Sequence, residues 1–164
     1  MNIKGELGCI NKTGILGDSA ELYRCDKEDF FNYIEDGILS TVKISVENGL
    51  LPCVSCEGHD GIDRFGKSWY DREITYMDTV DIIGKIASIV KYLNKTYKFK
   101  TGIHYHIMGA DTISPYNEND FKSKDIMTIT ITFGSIKDPE TFEKQKQYDA
   151  FIKKNFKTYR KMPT

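Results

Sequence analysis

Two short runs in this chain alternate apolar and polar residues with a period of two. In residues 102–108, Ile103, Tyr105 and Ile107 fall on one side and His104, His106 and Met108 on the other. In 126–133, Ile129, Ile131 and Phe133 alternate with Thr128, Thr130 and Thr132. Such alternation predicts strands with one buried face. Two longer runs repeat at helical spacing instead. Residues 79–94 put Ile82, Ile83, Ile86, Ile89, Val90 and Leu93 on one stripe behind an N-cap at Asp78. Asp138-Pro139-Glu140 starts a last helix to about residue 159, with Phe142, Tyr148, Phe151, Ile152 and Phe156 as its buried stripe.

Less regular stretches complete the order. Residues 27–35 predict a helix capped by Asp26, interrupted at Asp36-Gly37, and 38–47 predict another that Asn48-Gly49 stops. A short strand over 50–56 enters through Pro52, a charged glycine turn covers 57–66, and an aromatic strand covers 68–77. Residues 1–25 read as an irregular segment with two short strands, 3–10 and 20–25, and 109–124 as a long polar loop. Short links between strands favour antiparallel pairing. The expected fold is α+β: a two-layer sandwich, a mainly antiparallel sheet of about four strands with helices on one face, in a single domain over 1–164 whose core spans 26–160.

Composition changes this picture little. The chain has 164 residues, 40% hydrophobic and 29% charged, with a formal net charge of −1. That balance argues neither for nucleic acid nor for an acidic tail, so a nucleic-acid partner is not the expectation, and no apolar run reaches membrane-spanning length. The basic residues of the last helix and tail (Lys144, Lys146, Lys153, Lys154, Lys157, Arg160 and Lys161) read as a solvated face. Four cysteines in a chain this long make no disulfide framework, and the start of the chain lacks a signal-peptide core. A cytoplasmic setting is the expectation, and the Lys-, Ile- and Asn-rich usage suggests a bacterial or phage origin.

Candidate chemistry gathers at one stretch, Cys53-Val-Ser-Cys56-Glu-Gly-His59-Asp60. Thiolates and imidazole at this spacing are ligands zinc accepts, so Cys53, Cys56, His59 and His104 form a candidate metal set with zinc as cofactor. A strand sends residues 53 and 56 to opposite faces, so both ligate only if the chain turns at Ser55. The same residues admit a second reading: Cys56 as a nucleophile activated by His59 or His104, in a thiol- or zinc-dependent hydrolase. A third reading is a binding site without chemistry. Gly58 frees backbone N–H groups, and Asp60, Arg64, His106 and Thr130 supply polar contacts to a small polar, anionic ligand. Against all three stands the plain account that the cysteines are small buried hydrophobes and the histidines wet strand residues.

At Asn48-Gly49 and Cys53-Val-Ser-Cys56-Glu-Gly58-His59 the chain resembles a loose group of small bacterial and phage proteins. In these a helix ends in Gly, and a short strand leads to Ser/Cys-Cys-x-Gly-His before the next strand. The resemblance implies a fold and no reaction, and it singles out Cys56, Gly58 and His59 but not Cys53. The expectation is a binding or accessory protein whose turn Cys56–His59 faces His104 and His106. The hydrolase and a homo-oligomeric scaffold without chemistry are the alternatives.

Overall fold

The two alternating segments pair with each other. In the computed structural model, which describes residues 31–32, 34–50, 52–60, 69–110 and 126–156, they form β5 (His104–Ala110) and β6 (Ile126–Gly134). Two more strands join them, β1 (Pro52–Cys56) and β4 (Arg72–Thr79), in an antiparallel sheet of order β1-β4-β6-β5. The aromatic strand expected over 68–77 is divided: β3 (Trp69–Tyr70) pairs with β2 (His59–Asp60) as a separate ribbon, and only then does β4 begin. Among the described residues three helices pack against the sheet, α1 (Asp36–Glu47), α2 (Val80–Thr96) and α3 (Pro139–Phe156). The fold is α+β with an antiparallel four-stranded sheet, as the patterns imply. Residues 1–30, 61–68 and 111–125, with Arg64, the N-terminal strands and most of the long polar loop, lie outside the described residues.

Periodicity explains the core. Ile74, Tyr76, Ile129, Ile131 and Phe133 line one sheet face, where they meet Ile83, Ile86, Val90 and Leu93 of α2 and Ile38, Val42 and Val46 of α1. Each such side chain, fully buried, contributes roughly 1.5–3 kcal/mol of transfer free energy. On the other face Thr130 shares a hydrogen bond with Thr75 at 2.8 Å, and His104, His106 and Met108 are exposed. The caps follow the sequence at α3, where Asp138 Oδ1 accepts the Glu140 N–H at 2.9 Å. At α2 the start shifts by one: Asp78 ends within β4, is fully buried, and its Oδ1 accepts the Thr79 N–H at 2.8 Å.

Polar groups in the core are tied in chains. The Tyr148 hydroxyl donates to the Tyr76 oxygen at 3.0 Å, Tyr76 contacts Ser45 Oγ at 2.7 Å, and Ser45 Oγ donates to the Thr41 carbonyl at 2.7 Å. Since Ser45 spends its proton on the carbonyl, Tyr76 donates to Ser45 and the chain runs one way. Burial raises both phenol pKa values. Two expectations for α3 are corrected. Lys144, expected on a solvated face, is 1% exposed and donates from Nζ to Thr101 Oγ1 at 2.6 Å. Phe142, expected in the buried stripe, is 47% exposed. Residues 141, 144, 145, 148 and 152 form the inward face instead, a rotation that polar residues at helical spacing conceal.

Asp149 is a largely buried carboxyl at the α1–α3 contact, faced by hydroxyls. Its Oδ2 accepts from Ser40 Oγ at a long 3.4 Å, and Oδ1 has no hydrogen bond of normal geometry. Burial raises its pKa from 3.8 to about 6, with the hydroxyls of Thr41 and Ser40 opposing the rise. A carboxyl whose folded pKa lies above its unfolded value favours the fold when protonated. That contribution is complete below 3.8 and is lost as pH rises through about 6. Asp149→Asn should therefore stabilise the protein at pH 7 by on the order of 1–3 kcal/mol, with the gain vanishing near pH 4. Urea midpoints at the two pH values check this; an equal effect at both would exclude the buried charge as its cause.

Candidate functional site

Among the described residues β1 pairs with β4 alone, at one edge of the sheet, and it ends at Cys56. Gly58 follows at φ +89°, a left-handed conformation that glycine adopts without strain. The chain thereby swings away from the sheet and re-enters as β2, where His59 pairs with Tyr70. The Gly58 N–H points back and donates to Cys56 Sγ at 3.4 Å. This Cys-x-Gly-His turn brings the sulfur and the imidazole together, as the sequence motif suggests.

The third member comes from a residue with no place in that motif. Glu35, the N-cap position of α1, is extended and makes no capping bond with its side chain. Its carboxylate turns to the β1–β2 corner instead: Oε1 accepts the Glu57 N–H at 3.2 Å, and Oε2 lies 2.7 Å from His59 Nε2. In exchange, Glu57 Oε2 accepts the Gly37 N–H at 2.7 Å. Each glutamate thus binds the other's backbone segment, and a carboxylate sits where the positive end of the α1 dipole favours it. Gly37, expected to interrupt a helix, lies inside the first turn of α1. A Cβ there would stand 2.4 Å from an Arg72 nitrogen and 2.9 Å from Glu57 Cβ, so the glycine serves close approach rather than helix breaking.

Arg72 holds the corner from behind. It is 8% exposed, its Nε donates to the Glu57 carbonyl at 2.6 Å, and an Nη donates to Gln145 Oε1 at 2.8 Å. Phe142 lies 4.9 Å from its guanidinium, which explains why that ring is not in the core. Burial lowers the Arg72 pKa, while the charges of Glu57, Cys56 and Glu35 oppose the fall. Gln145 completes the frame, donating to the Gly37 carbonyl at 3.1 Å and to Thr41 Oγ1 at 2.8 Å.

One carboxylate oxygen, one thiol sulfur and one imidazole nitrogen, from Glu35, Cys56 and His59, lie within 4.8 Å of one another. In tetrahedral zinc sites, bonds of about 2.0–2.3 Å place ligand atoms about 3.5 Å apart, so small rotations close this set on a cation. Cys56 is 1% exposed and Glu35 6%, whereas the His59 side chain is 46% exposed. The site is buried at the sulfur and open at the imidazole.

The other expected site residues are not gathered here. Cys56 pairs with Glu73, Glu73 with Thr132, and Thr132 with His104. His104 therefore shares a cross-strand row with Cys56 but sits on the opposite edge, three strand spacings or about 14 Å away. His106 pairs with Thr130 on that same far side. The expectation that the turn faces these histidines is corrected by the strand order, because β4 and β6 intervene. Asp60 is engaged with Lys137 at 3.2 Å, and for Cys53 only its backbone place on β1 is described.

Glu35, Arg72 and Gln145 escaped the sequence reading, and two of them left a signal. Arg72 shares strand parity with Ile74 and Tyr76, so an arginine was due on the core face. Gln145 lies at helical spacing from Tyr148 and Ile152. Glu35 carries none, being remote in sequence from the turn it joins.

The corner depends on Gly58. A Cβ there would stand 2.6 Å from Ile136 Cγ2, 3.2 Å from the Arg72 nitrogen and 3.3 Å from the Tyr70 carbonyl oxygen. Gly58→Ala should lower stability by about 1–3 kcal/mol, read as a lower urea midpoint at unchanged slope. A midpoint equal to the parent's would show that the left-handed turn is not required.

No family model, no curated protein and no solved structure matches the chain, so its functional reading rests on the geometry of these residues.

Proposed function

We propose that this protein binds a divalent metal ion of the zinc class through Glu35, Cys56 and His59. The observation that carries the reading is the mutual approach of three chemically different donors within 4.8 Å. Sulfur, nitrogen and carboxylate oxygen together form a donor set that zinc accepts and that magnesium or calcium does not favour. Three protein donors leave one position for water, the composition of a catalytic rather than a purely structural zinc site. The half-exposed imidazole gives that position a route to solvent.

Charge and exposure weigh against the other readings of the same turn. An anion would meet the Glu35 and Glu57 carboxylates, and the backbone N–H groups of Gly37, Glu57 and Gly58 already donate to protein acceptors. A thiol nucleophile must meet its substrate, and Cys56 is 1% exposed. A small cation approaching past His59 faces neither obstacle.

Elemental mass spectrometry of untagged protein, stripped with chelator and reloaded with zinc chloride, tests this. Roughly one zinc per chain is expected, with affinity reduced at least ~10-fold in Cys56→Ser and His59→Ala on competition with a chromophoric indicator. Failure of the parent protein to retain zinc, or retention unchanged in both variants, would remove the proposal.

A further inference from the structure

Charge is segregated along α2 and the segment after it. Residues 82–101 contain Lys85, Lys91, Lys95, Lys98 and Lys100 and no acid, in a chain whose net charge is −1. Lys91 and Lys95 stand one helical turn apart, both exposed, with Lys98 three residues further on. Like charges at this spacing repel and slightly destabilise a helix. A face needed only for solvation interleaves both signs, as the first half of α3 does with Glu140, Glu143 and Lys146. The helix dipole accounts for cations in the last turn of α2, but not for what lies beside them.

Between them in sequence stand two partly exposed tyrosines, Tyr97 with one face stacked on Phe99 at 6.0 Å. Tyr92 is 53% exposed and Tyr97 36%. Phe151 of α3 is wedged between them, 5.2 Å from Tyr92 and 6.1 Å from Tyr97 in an edge-to-face contact. The half-buried phenylalanine fixes both tyrosines on the α2–α3 seam. Lys98, just beyond the helix, holds φ 39°, a left-handed conformation usually given to glycine or asparagine. A lysine at that place is strained relative to glycine, so helix termination alone does not call for it.

We infer that the α2–α3 seam binds single-stranded nucleic acid, with Tyr92 and Tyr97 as stacking platforms and Lys91, Lys95 and Lys98 on the phosphates. Exposed rings flanked by lysines are the pairing that such strands recognise. A membrane surface fits less well, because it requires an apolar wedge and, among the described residues, the large exposed apolar side chains of this seam are tyrosines. From residue 91 to 98 the helix and its cap span about 10 Å, so the three lysines reach about two to three consecutive phosphates of a single strand. This inference is independent of the metal reading, since it uses none of the site's residues.

The test is fluorescence anisotropy of labelled oligo-dT and oligo-U, twelve nucleotides long, titrated with the full chain. Binding at about 1–100 µM in low salt is expected, with a log–log salt slope of about −2. Tyr92→Ala with Tyr97→Ala should weaken it ~10-fold or more while circular dichroism stays unchanged. Lys95→Glu with Lys98→Glu, on the outer surface, should abolish it and serves as the readout if the tyrosine variant misfolds. Absence of binding up to about 100 µM at low salt would overturn the inference. So would binding unchanged in the lysine variant, or capture by phosphatidylserine vesicles without capture of either oligonucleotide.

Discussion

A buried guanidinium organises one end of this molecule. Arg72 opens β4 on the core-facing parity of the strand, where its neighbours on that face are Ile74 and Tyr76. Taking such a group out of water costs several kcal/mol unless its N–H groups find acceptors. The fold supplies them from two directions, the Glu57 carbonyl at the end of β1 and the Gln145 amide of α3, with the Phe142 face as cover. Those three contacts require the strand corner and α3 to converge at one place, and Gln145 ties α1 to it through the Gly37 carbonyl and Thr41 Oγ1. Gly37 follows from the same requirement, because no Cβ fits between Arg72 and Glu57.

The candidate metal centre is a by-product of that convergence. With Glu57 held through its carbonyl and its carboxylate, its N–H is aimed at Glu35, and Glu35 is left with one oxygen for His59. Two carboxylates and a thiol then surround a single buried cation, Arg72, which already has its own neutral partners. The excess negative potential favours a second cation beside His59. This is the physical reason to prefer a metal over an anion at a turn whose glycines would otherwise suggest phosphate.

Sequence periodicity captured what depends on neighbours along the chain. The strand faces of β5 and β6, the buried stripe of α2 and the Asp138-Pro139 start of α3 were all legible, because each is decided by residues within a turn or two. Strand order was not. Nothing in the alternation of His104 and His106 tells which edge of the sheet they occupy, and the answer separates them from Cys56. Burial of charge was legible only in part: Arg72 and Gln145 fell at core spacing, but polar residues at core spacing read as solvent-facing until their partners are known. Gly37 misled for a related reason. Read locally it ends a helix, whereas its role is set by an arginine thirty-five residues away.

On the proposed reading, the centre is organised before any cation arrives. Glu35 is held by the Glu57 N–H, Cys56 by the Gly58 N–H, and His59 by Glu35 and its place in the β2–β3 ribbon. Donors fixed this way lose little freedom on binding, so more of the bond energy becomes affinity. The cation must instead displace protons, the thiol proton of Cys56 and the one shared between Glu35 and His59. Metal binding is therefore coupled to proton release. The same exchange replaces a single hydrogen bond by a link joining α1, β1 and β2. A bound ion would then stabilise the corner that Arg72 assembles, by an amount that grows with the logarithm of free metal over its dissociation constant.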